Sequence, residues 1–248
     1  LKAVFKGIGQ AFKNTSFVRL CGATFLVFNG FQLVASFAFF IIVFHMFNGD
    51  YGATGSWPGW FATVSALVTA FLVIPIVTLM ANKWGKRNAF IISTMISIVG
   101  YGLKWYGFNP ENPWLIFMPI PLMSFGIGGL FTLMLSMTAD VCDMDELNTY
   151  ERREGMFGSI YWWVVKLGMA AALAAGGFLL NATGFDVALG GAQAAETIYL
   201  MRIFDAFIPA LCSAIAILMV YWYPITEQKA GEVRDALDAR RLSVDPVS

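Results

Sequence analysis

Lys166 is the side chain in this sequence that most needs a chemical explanation. It lies in the stretch Gly155 to Leu180, which has no other charged side chain and is long enough to cross a membrane as a helix. With a helical rise of about 1.5 Å per residue, it lies roughly halfway through a hydrocarbon core of about 30 Å. An ammonium at that depth costs about 2.5 to 3.5 kcal/mol on insertion scales, so it is kept where it finds a partner, water or a substrate. We therefore predict that Lys166 belongs to a functional site.

Two tryptophans accompany Lys166. Trp162 and Trp163 precede it by four and three residues, so on a helix the three side chains share one face. Aromatic rings beside a cation commonly form a wall for a sugar ring. The alternative is that the indoles simply face lipid, and we favour the sugar wall.

Acidic and basic residues follow the fourth apolar segment of the chain. Asp140 and Asp143 are three residues apart, so on a helix they share a face at the mouth of the bundle. Arg152 and Arg153 stand at the foot of the next segment, where we expect them to meet these carboxylates. We interpret the four residues as a gate that closes by ion pairing. Ordinary solvated charges on a short loop are the alternative.

Polar residues in the first and last apolar segments also need partners. Asn29, Gln32 and Ser36 recur at helical spacing and cannot face lipid cheaply, so we expect them to point into the bundle or a cavity. Substrate binding and hydrogen bonding between helices both explain them. Arg202 and Asp205 lie three apart in the last segment, and we expect them to pair with each other.

The composition indicates a membrane protein. Of the 248 residues, 58% are hydrophobic and only 13% are charged, far from the average of soluble proteins. Aromatic residues cluster near the ends of several apolar segments, as expected at the level of the headgroups. Six segments are long enough to span: Phe17 to Phe47, Gly59 to Ala81, Ala89 to Phe108, Trp114 to Ala139, Gly155 to Asn181 and Ile198 to Tyr223. The sequence therefore predicts an all-α membrane protein with six transmembrane helices.

Basic residues lie on one side of these segments. The loops after the first, third and fifth segments contain acidic residues but no Lys or Arg, whereas the other loops and both ends are basic. By the positive-inside rule both termini face the cytoplasm. We divide the chain into a cytoplasmic linker, 1–16, a transmembrane domain, 17–223, and a cytoplasmic tail, 224–248. The tail is expected to form a short surface helix from Glu227 to Arg241 and to fray from Ser243 to Ser248.

Several other classes of protein are not indicated. Basic and acidic residues are equal in number, 16 each, and nothing suggests a nucleic acid partner. The three cysteines have no paired spacing, so we expect neither disulfides nor a metal site. An enzyme is the least favoured class, because no metal-binding His-Glu spacing, nucleophile-base pair or Gly-rich phosphate loop lies near the segments.

The motifs together resemble those of the glycoside-pentoside-hexuronide:cation symporters, a family within the major facilitator superfamily. The pattern Ala-Asp-x-x-Asp from Ala139, then Arg-x-Glu-Gly from Arg152, then an apolar helix carrying Lys166 and Gly168 is similar to the second half of those proteins. The basic stretch from Lys83 to Arg87 resembles the loop between their eighth and ninth helices. The resemblance implies that the six helices form one half, helices 7 to 12, of a major facilitator superfamily fold.

The resemblance also implies roles for single residues. Lys166 matches a lysine of helix eleven that is associated with the cation and sugar region. Phe131, Tyr161 and Trp162 fall where the family places sugar-site residues, and the gate residues defined above match a charged cytoplasmic gate. With the residues argued from spacing, the predicted substrate site consists of Lys166, Trp162, Trp163, Tyr161, Phe131, Asn29 and Gln32.

The implied function is cation-coupled symport of a glycoside, sugar or sugar acid, with Na⁺ or H⁺ as the coupling ion and no tightly bound cofactor. The implied location is the bacterial inner membrane, in contact with lipid. Transporters of this superfamily close a central site between two six-helix halves. We therefore expect the chain, which opens on Leu1 without a signal peptide, to be a fragment that works with an amino-terminal six-helix half, in the same longer chain or separately encoded.

Two alternatives remain open from the sequence. A related carrier could move an anionic lipid-like or sulfonated amphiphile, whose apolar body would meet the aromatic wall and whose head would meet Lys166. The chain could also be a non-transporting membrane subunit of a larger complex, in which Lys166 pairs with a carboxylate of another protein.

Overall fold

A computed structural model of the chain describes residues 9 and 11–244. In that part of the chain, all regular secondary structure is helical, and six helical segments are long and apolar enough to cross a membrane. These spans, numbered in chain order, are Thr15–Met46, Tyr51–Trp84, Lys86–Gly107, Pro113–Thr149, Glu154–Ala182 and Ala195–Tyr221. The prediction of an all-α fold with six transmembrane helices is confirmed.

The first two spans contain π-helical turns. In the first, the α-helix Thr15–Phe40 continues as a π-helix over Ile41–Met46. The second is made of Tyr51–Thr54, Trp57–Val68, a π-helix over Thr69–Val73, and Ile74–Trp84. Pro75 lacks an N–H and its ring crowds the preceding turn, which accounts for the π-helical turns just before it. The second span is therefore irregular at the point where the sequence placed a proline.

The other spans are mainly single α-helices. The fourth opens with a 3-10 turn, Pro113–Phe117, before its α-helix, Ile120–Thr149. The sixth is one α-helix, Ala195–Tyr221, that contains Pro209, and it follows a short 3-10 turn, Val187–Leu189.

The first and fourth spans form the centre of the bundle. Of their most apolar windows, 56% and 61% of residues are buried, against 17% in the second span and 28% in the fifth. The second span packs chiefly on the fourth, and the fifth packs chiefly on the first. The fifth span, which carries Lys166, therefore has one packed face and one exposed face.

Glycines allow the third and fourth spans to approach closely. A Cβ added at Gly126 would lie 2.9 Å from the Ser97 Oγ, and one added at Gly129 would lie 2.4 Å from the Ser93 Oγ. At Gly100 the nearest atom is backbone, since an added Cβ would lie 2.3 Å from the Met123 nitrogen. The small residues thus bring the two helices together, as small residues commonly do in membrane bundles.

Replacing Gly100 with Ala is expected to destabilise the bundle by about 1 to 3 kcal/mol, because the added methyl group meets backbone that cannot rotate away. Gly102 is the matched control, since it lies on the same helix and has nothing within 4 Å of an added Cβ. Gly102→Ala should be neutral or stabilising, because Ala favours a helix more than Gly does. Thermal unfolding in detergent measures both variants, and equal unfolding temperatures would contradict the close approach.

The tail forms a helix that packs under the bundle. It runs over Glu227–Val244 and contacts the fourth span. Its residues Ala230, Val233 and Leu237 are buried. The expected surface helix is therefore present, but it extends past the predicted end at Arg241, and residues 245–248 of the expected frayed end lie outside the described residues.

The expected linker, residues 1–16, is described only in part, because residues 1–8 and 10 lie outside the described residues. The first span begins where the Asn14 side chain accepts a hydrogen bond from the N–H of Phe17 at 3.1 Å. This is an N-cap, so the helix begins at Thr15, two residues before the predicted start at Phe17.

Candidate functional site

Lys166 lies on the exposed face of the fifth span. The opposite face is buried and includes Tyr161, Val165 and Gly168. Within the described part of the chain, Lys166 has neither an ion pair nor a hydrogen bond through its ammonium. The charge is therefore not neutralised by a neighbour in this six-helix unit.

The tryptophans share the exposed face with Lys166, as their spacing predicted. Trp162 is 45% exposed and Trp163 is 58% exposed. Tyr161 differs, because it is only 1% exposed and lies within the bundle, where its ring meets Trp162 edge-on at 5.7 Å. In this packing Tyr161 cannot touch a solute, so its expected place in the substrate site is not supported.

The polar residues of the first span lie toward the bundle. The Asn29 amide is buried and donates to the Phe25 carbonyl at 2.7 Å. A Cβ added at Gly168 would lie 3.2 Å from the Asn29 Nδ2, so this glycine lets the fifth span pack over the amide. Ser36 donates to the Gln32 carbonyl at 3.0 Å, and Gln32 itself is partly buried. The burial agrees with the expected orientation. Both hydrogen bonds run to the backbone of the first span itself, whereas the close approach of Gly168 serves helix packing.

Phe131 lies on the fourth span and is 40% exposed. It lines an apolar cavity of about 540 Å³ between the first, second and fourth spans, together with Phe31, Phe39 and Phe61. Its ring meets Phe28 edge-on at 6.2 Å. Of the predicted substrate residues, Phe131 thus lines this cavity, whereas Lys166, Trp162 and Trp163 lie on the exposed face of the fifth span, and Tyr161 and Asn29 are buried.

Asp140 pairs with Lys86 rather than with the arginines. The Lys86 ammonium donates to both carboxylate oxygens, at 2.8 and 2.7 Å. The expected contact of Asp140 with Arg152 and Arg153 is therefore wrong, because the start of the third span lies closer to this carboxylate than the loop does. The sequence offered one indication of this pair, because the basic stretch from Lys83 to Arg87 is predicted on the same side of the membrane as Asp140.

The two arginines bind carboxylates at the end of the fourth span and at the start of the fifth. Arg152 lies 2.6 Å from Glu154, 2.8 Å from Glu146 and 3.8 Å from Asp143. The hydrogen bond to Glu154 is the main cause that raises the pKa of the Arg152 guanidinium. Arg153 lies 2.8 Å from Asp145. The contact between Arg152 and Asp143 corresponds to a predicted gate pair, and at 3.8 Å it is a long one.

The tail helix joins the same charges. Arg240 and Arg241 reach Glu146 at 3.6 and 3.5 Å, and Arg240 also lies over the Tyr150 ring at 4.6 Å. Ion pairs therefore connect the ends of the third and fourth spans, the following loop and the tail. We call this the cytoplasmic charge cluster, after the side on which the positive-inside rule predicts it, and it comprises Lys86, Asp140, Asp143, Asp145, Glu146, Arg152, Arg153, Glu154, Arg240 and Arg241.

A second buried ion pair lies inside the bundle. The Lys104 ammonium is 2.5 Å from the Asp205 carboxylate, and the two side chains are 1% and 2% exposed. Arg202, which we expected to pair with Asp205, instead donates to the Trp105 carbonyl at 2.5 Å and lies over the Trp105 ring. Lys104 is the single charge in its predicted segment, the same signal that drew attention to Lys166, so the sequence did contain a clue to this pair.

Replacing Asp140 with Asn is expected to open the end of the bundle that carries the charge cluster, because it removes the charge that Lys86 binds. The measurement is the rate at which a membrane-impermeant maleimide labels Ser136→Cys, a position on the same helix, in the complete gene product. We expect labelling several-fold faster in the Asp140→Asn background. Asp238→Asn, which removes an exposed tail carboxylate, should leave the rate unchanged. An equal rate with and without Asp140→Asn would contradict a gate.

Comparison with known proteins identifies the family to which the chain belongs. The family model described as MFS/sugar transport protein matches residues 2–227. An uncharacterized symporter of Synechocystis sp. is 26% identical over 242 residues, which are 96% of this chain and 43% of that protein. A glucuronide carrier protein homolog of Escherichia coli is 27% identical over 178 residues, which are 72% of this chain and 38% of the relative. An isoprimeverose transporter of Lactiplantibacillus pentosus is 23% identical over 169 residues, 66% of this chain and 35% of the relative.

The chain spans less than half the length of these curated relatives. The family match nevertheless covers all six spans, so it applies to the whole membrane domain. The resemblance to sugar and cation symporters of the major facilitator superfamily is confirmed, and the family is one of transport proteins, as expected, and not of enzymes. The chain is therefore an integral membrane protein that belongs to the MFS/sugar transport protein family.

Proposed function

We propose that this chain supplies the carboxy-terminal half of a secondary transporter that moves a glycoside, sugar or sugar acid together with Na⁺ or H⁺. The names of two relatives, a glucuronide carrier homolog and an isoprimeverose transporter, support a sugar-like substrate. The name symporter, given to a third, supports ion coupling. The observation that carries the proposal is the exposed charge of Lys166 in the middle of a span.

The exposed face of the fifth span needs a complement. A lysine that faced lipid at this depth would cost about 2.5 to 3.5 kcal/mol, whereas a water-filled path or a carboxylate removes that cost. Trp162 and Trp163 lie on the same face and offer flat rings to a sugar. We therefore place an amino-terminal six-helix half opposite this face, with the solute path between the two halves.

Lys166 couples ion and sugar in this proposal. In a site of low dielectric constant, charges interact far more strongly than in water. A change in the charge of carboxylates across the path, caused by binding of Na⁺ or H⁺, therefore changes the free energy of Lys166 and of a sugar bound beside it. Such coupling is reciprocal, so the sugar also strengthens binding of the ion.

The cytoplasmic charge cluster provides the inner gate. Asp140 and Lys86 hold the ends of two spans together, and Glu146 holds the tail against the fourth span through Arg240 and Arg241. When one half rocks against the other, these span ends would move away from the corresponding span ends of the amino-terminal half. The distribution of basic residues supports an arrangement with both termini in the cytoplasm, and the family supports the bacterial inner membrane.

The test is uptake by vesicles that contain the complete gene product. A labelled glucuronide and labelled isoprimeverose are offered under an imposed Na⁺ gradient, an imposed pH gradient, or neither. We expect accumulation above the outside concentration with one gradient and equilibration without it. Correct insertion of the protein with no sugar accumulation under either gradient would overturn the proposal.

A further inference from the structure

A small polar cavity lies at the end of the bundle where the cytoplasmic charge cluster is. The cavity has a volume of about 310 Å³ and lies between the second and fourth spans. Thr78 and Asn82 lie one helical turn apart on the second span, and Thr132 and Ser136 do so on the fourth. Lys86, from the third span, and Glu227, from the tail helix, complete its polar lining. Four separate elements thus contribute hydrogen-bonding groups to one space.

These groups have hydrogen-bonding capacity to spare. The Thr132 Oγ1 is buried and has no hydrogen-bond partner within the described part of the chain. The Thr78 hydroxyl donates to the Ile74 carbonyl at 2.8 Å, so its oxygen can still accept. The Lys86 ammonium has three N–H groups, and the two Asp140 oxygens use two of them. The wall therefore offers both donors and acceptors to a solute.

The chemistry of the wall selects the class of solute. An apolar solute would leave the Thr132 hydroxyl and its polar neighbours unpaired, which is unfavourable for binding. The Glu227 carboxylate is already paired with Arg234 at 3.4 Å and the Lys86 ammonium with Asp140 at 2.7 Å, so neither offers an unpaired charge to a simple ion. A solute rich in hydroxyl groups can donate to the Glu227 carboxylate and accept from the Lys86 ammonium. The volume is at the small end of ligand pockets, which suits one or two sugar rings.

We propose that this cavity is a saccharide-binding site at the cytoplasmic end, distinct from the exposed face that carries Lys166. The identity of the ligand class rests on the proposed function, whereas the existence of the site rests on the cavity. Because Lys86 both lines the cavity and binds Asp140, a bound sugar that accepts a hydrogen bond from Lys86 weakens the gate pair. Binding at this site and opening of the gate are therefore coupled.

The tail helix takes part in this site. Glu227 is its first residue, and the helix is fixed at its other end by Arg240 and Arg241 on Glu146. A Cβ added at Gly85 would lie 3.2 Å from the Glu227 Cβ, so the start of the tail packs closely on the turn before Lys86. One wall of the cavity is thus held in place by the cytoplasmic charge cluster.

The experiment uses the complete gene product with Cys21, Cys142 and Cys212 replaced by Ala and with Thr132→Cys introduced. In inside-out vesicles, a membrane-impermeant maleimide should label Thr132→Cys, and a saturating glucuronide or isoprimeverose should slow labelling at least several-fold. Asn148→Cys is the control, since Asn148 lies at the exposed end of the same helix, away from the cavity. Its labelling should not change with sugar.

A second substitution tests the wall itself. Asn82→Leu removes hydrogen-bonding groups from the cavity, so the sugar concentration that gives half-protection should rise roughly fivefold to tenfold. Labelling of Thr132→Cys that is insensitive to both sugars, or no labelling from the cytoplasmic side because another part of the protein fills the cavity, would overturn the site.

Failure of this site and failure of the proposed function give different results. Protection is measured without a gradient and does not require transport. If wild-type vesicles accumulate sugar but Thr132→Cys is not protected, the cavity site is wrong and the transporter stands. If sugar protects Thr132→Cys but no gradient drives accumulation, the site stands and coupled transport is wrong.

Discussion

Replacing Asp205 with Leu is expected to lower the free energy of unfolding by about 3 to 5 kcal/mol, and Lys104→Met should do the same. The two charges lie 2.5 Å apart and are almost completely buried between the third and sixth spans. Removing one of them leaves the other without a counter-charge and out of reach of solvent. That is among the most destabilising single changes possible in a folded protein.

The double variant Lys104→Met/Asp205→Leu should recover most of that loss, because two apolar side chains of similar size need no counter-charge. Thermal unfolding in detergent, followed by intrinsic fluorescence, compares the three variants with the wild type. Asp238→Asn is the control, since it breaks an exposed pair with Arg241 at 3.6 Å and should change the stability by less than about 1 kcal/mol. Single variants as stable as this control would contradict a buried pair, and a double variant no better than the singles would show that the polar groups do more than neutralise each other.

The sequence predicts the six spans well because the signal for a membrane helix is local. Length and apolarity decide whether a segment can span, and each predicted segment overlaps one observed span. The ends are less well predicted, since caps and turns decide them. The first span begins at Thr15 because Asn14 caps it, and the fourth continues past Ala139 to Thr149 because its charged residues still form helix.

Ion pairs between helices were harder to predict because they depend on which helices are neighbours. Arg202 and Asp205 have ideal spacing for a pair on one helix, yet Asp205 binds Lys104 on the third span. Asp140 likewise binds Lys86 across the third and fourth spans instead of an arginine nearer in sequence. Nothing in a single sequence states that the third span lies against both the fourth and the sixth.

The faces of the fifth span show a similar limit. The spacing of Trp162, Trp163 and Lys166 correctly predicts that they share one face, which is exposed. Tyr161 is adjacent in sequence, but one residue turns a helix by about 100°, which carries its ring into the bundle. The relative positions follow from helical geometry, whereas the absolute direction depends on the first span, against which this helix packs.

Replacing Lys166 with Ala is expected to abolish sugar accumulation while leaving membrane insertion intact. The exposed ammonium has no partner in the described part of the chain, so its loss breaks no contact within this unit, and an apolar residue inserts more favourably by about 2.5 to 3.5 kcal/mol. In the proposed coupling, the carboxylates across the solute path act on the sugar through this charge, so its loss removes their effect. The ratio of inside to outside sugar should therefore fall to about one under a gradient, or uptake should cease altogether.

Two further variants make this result specific. Lys166→Arg keeps a positive charge but changes its shape and hydrogen bonding, so we expect partial accumulation. Lys83→Ala removes a lysine that lies over the Trp84 ring at the end of the second span, and it should accumulate sugar as the wild type does. Vesicle uptake under the imposed gradient and the amount of inserted protein are measured in parallel for each variant. Accumulation by Lys166→Ala equal to that of Lys83→Ala would show that the Lys166 ammonium, at the middle of the membrane, faces lipid. The assignment of the fifth span to the solute path would then be withdrawn.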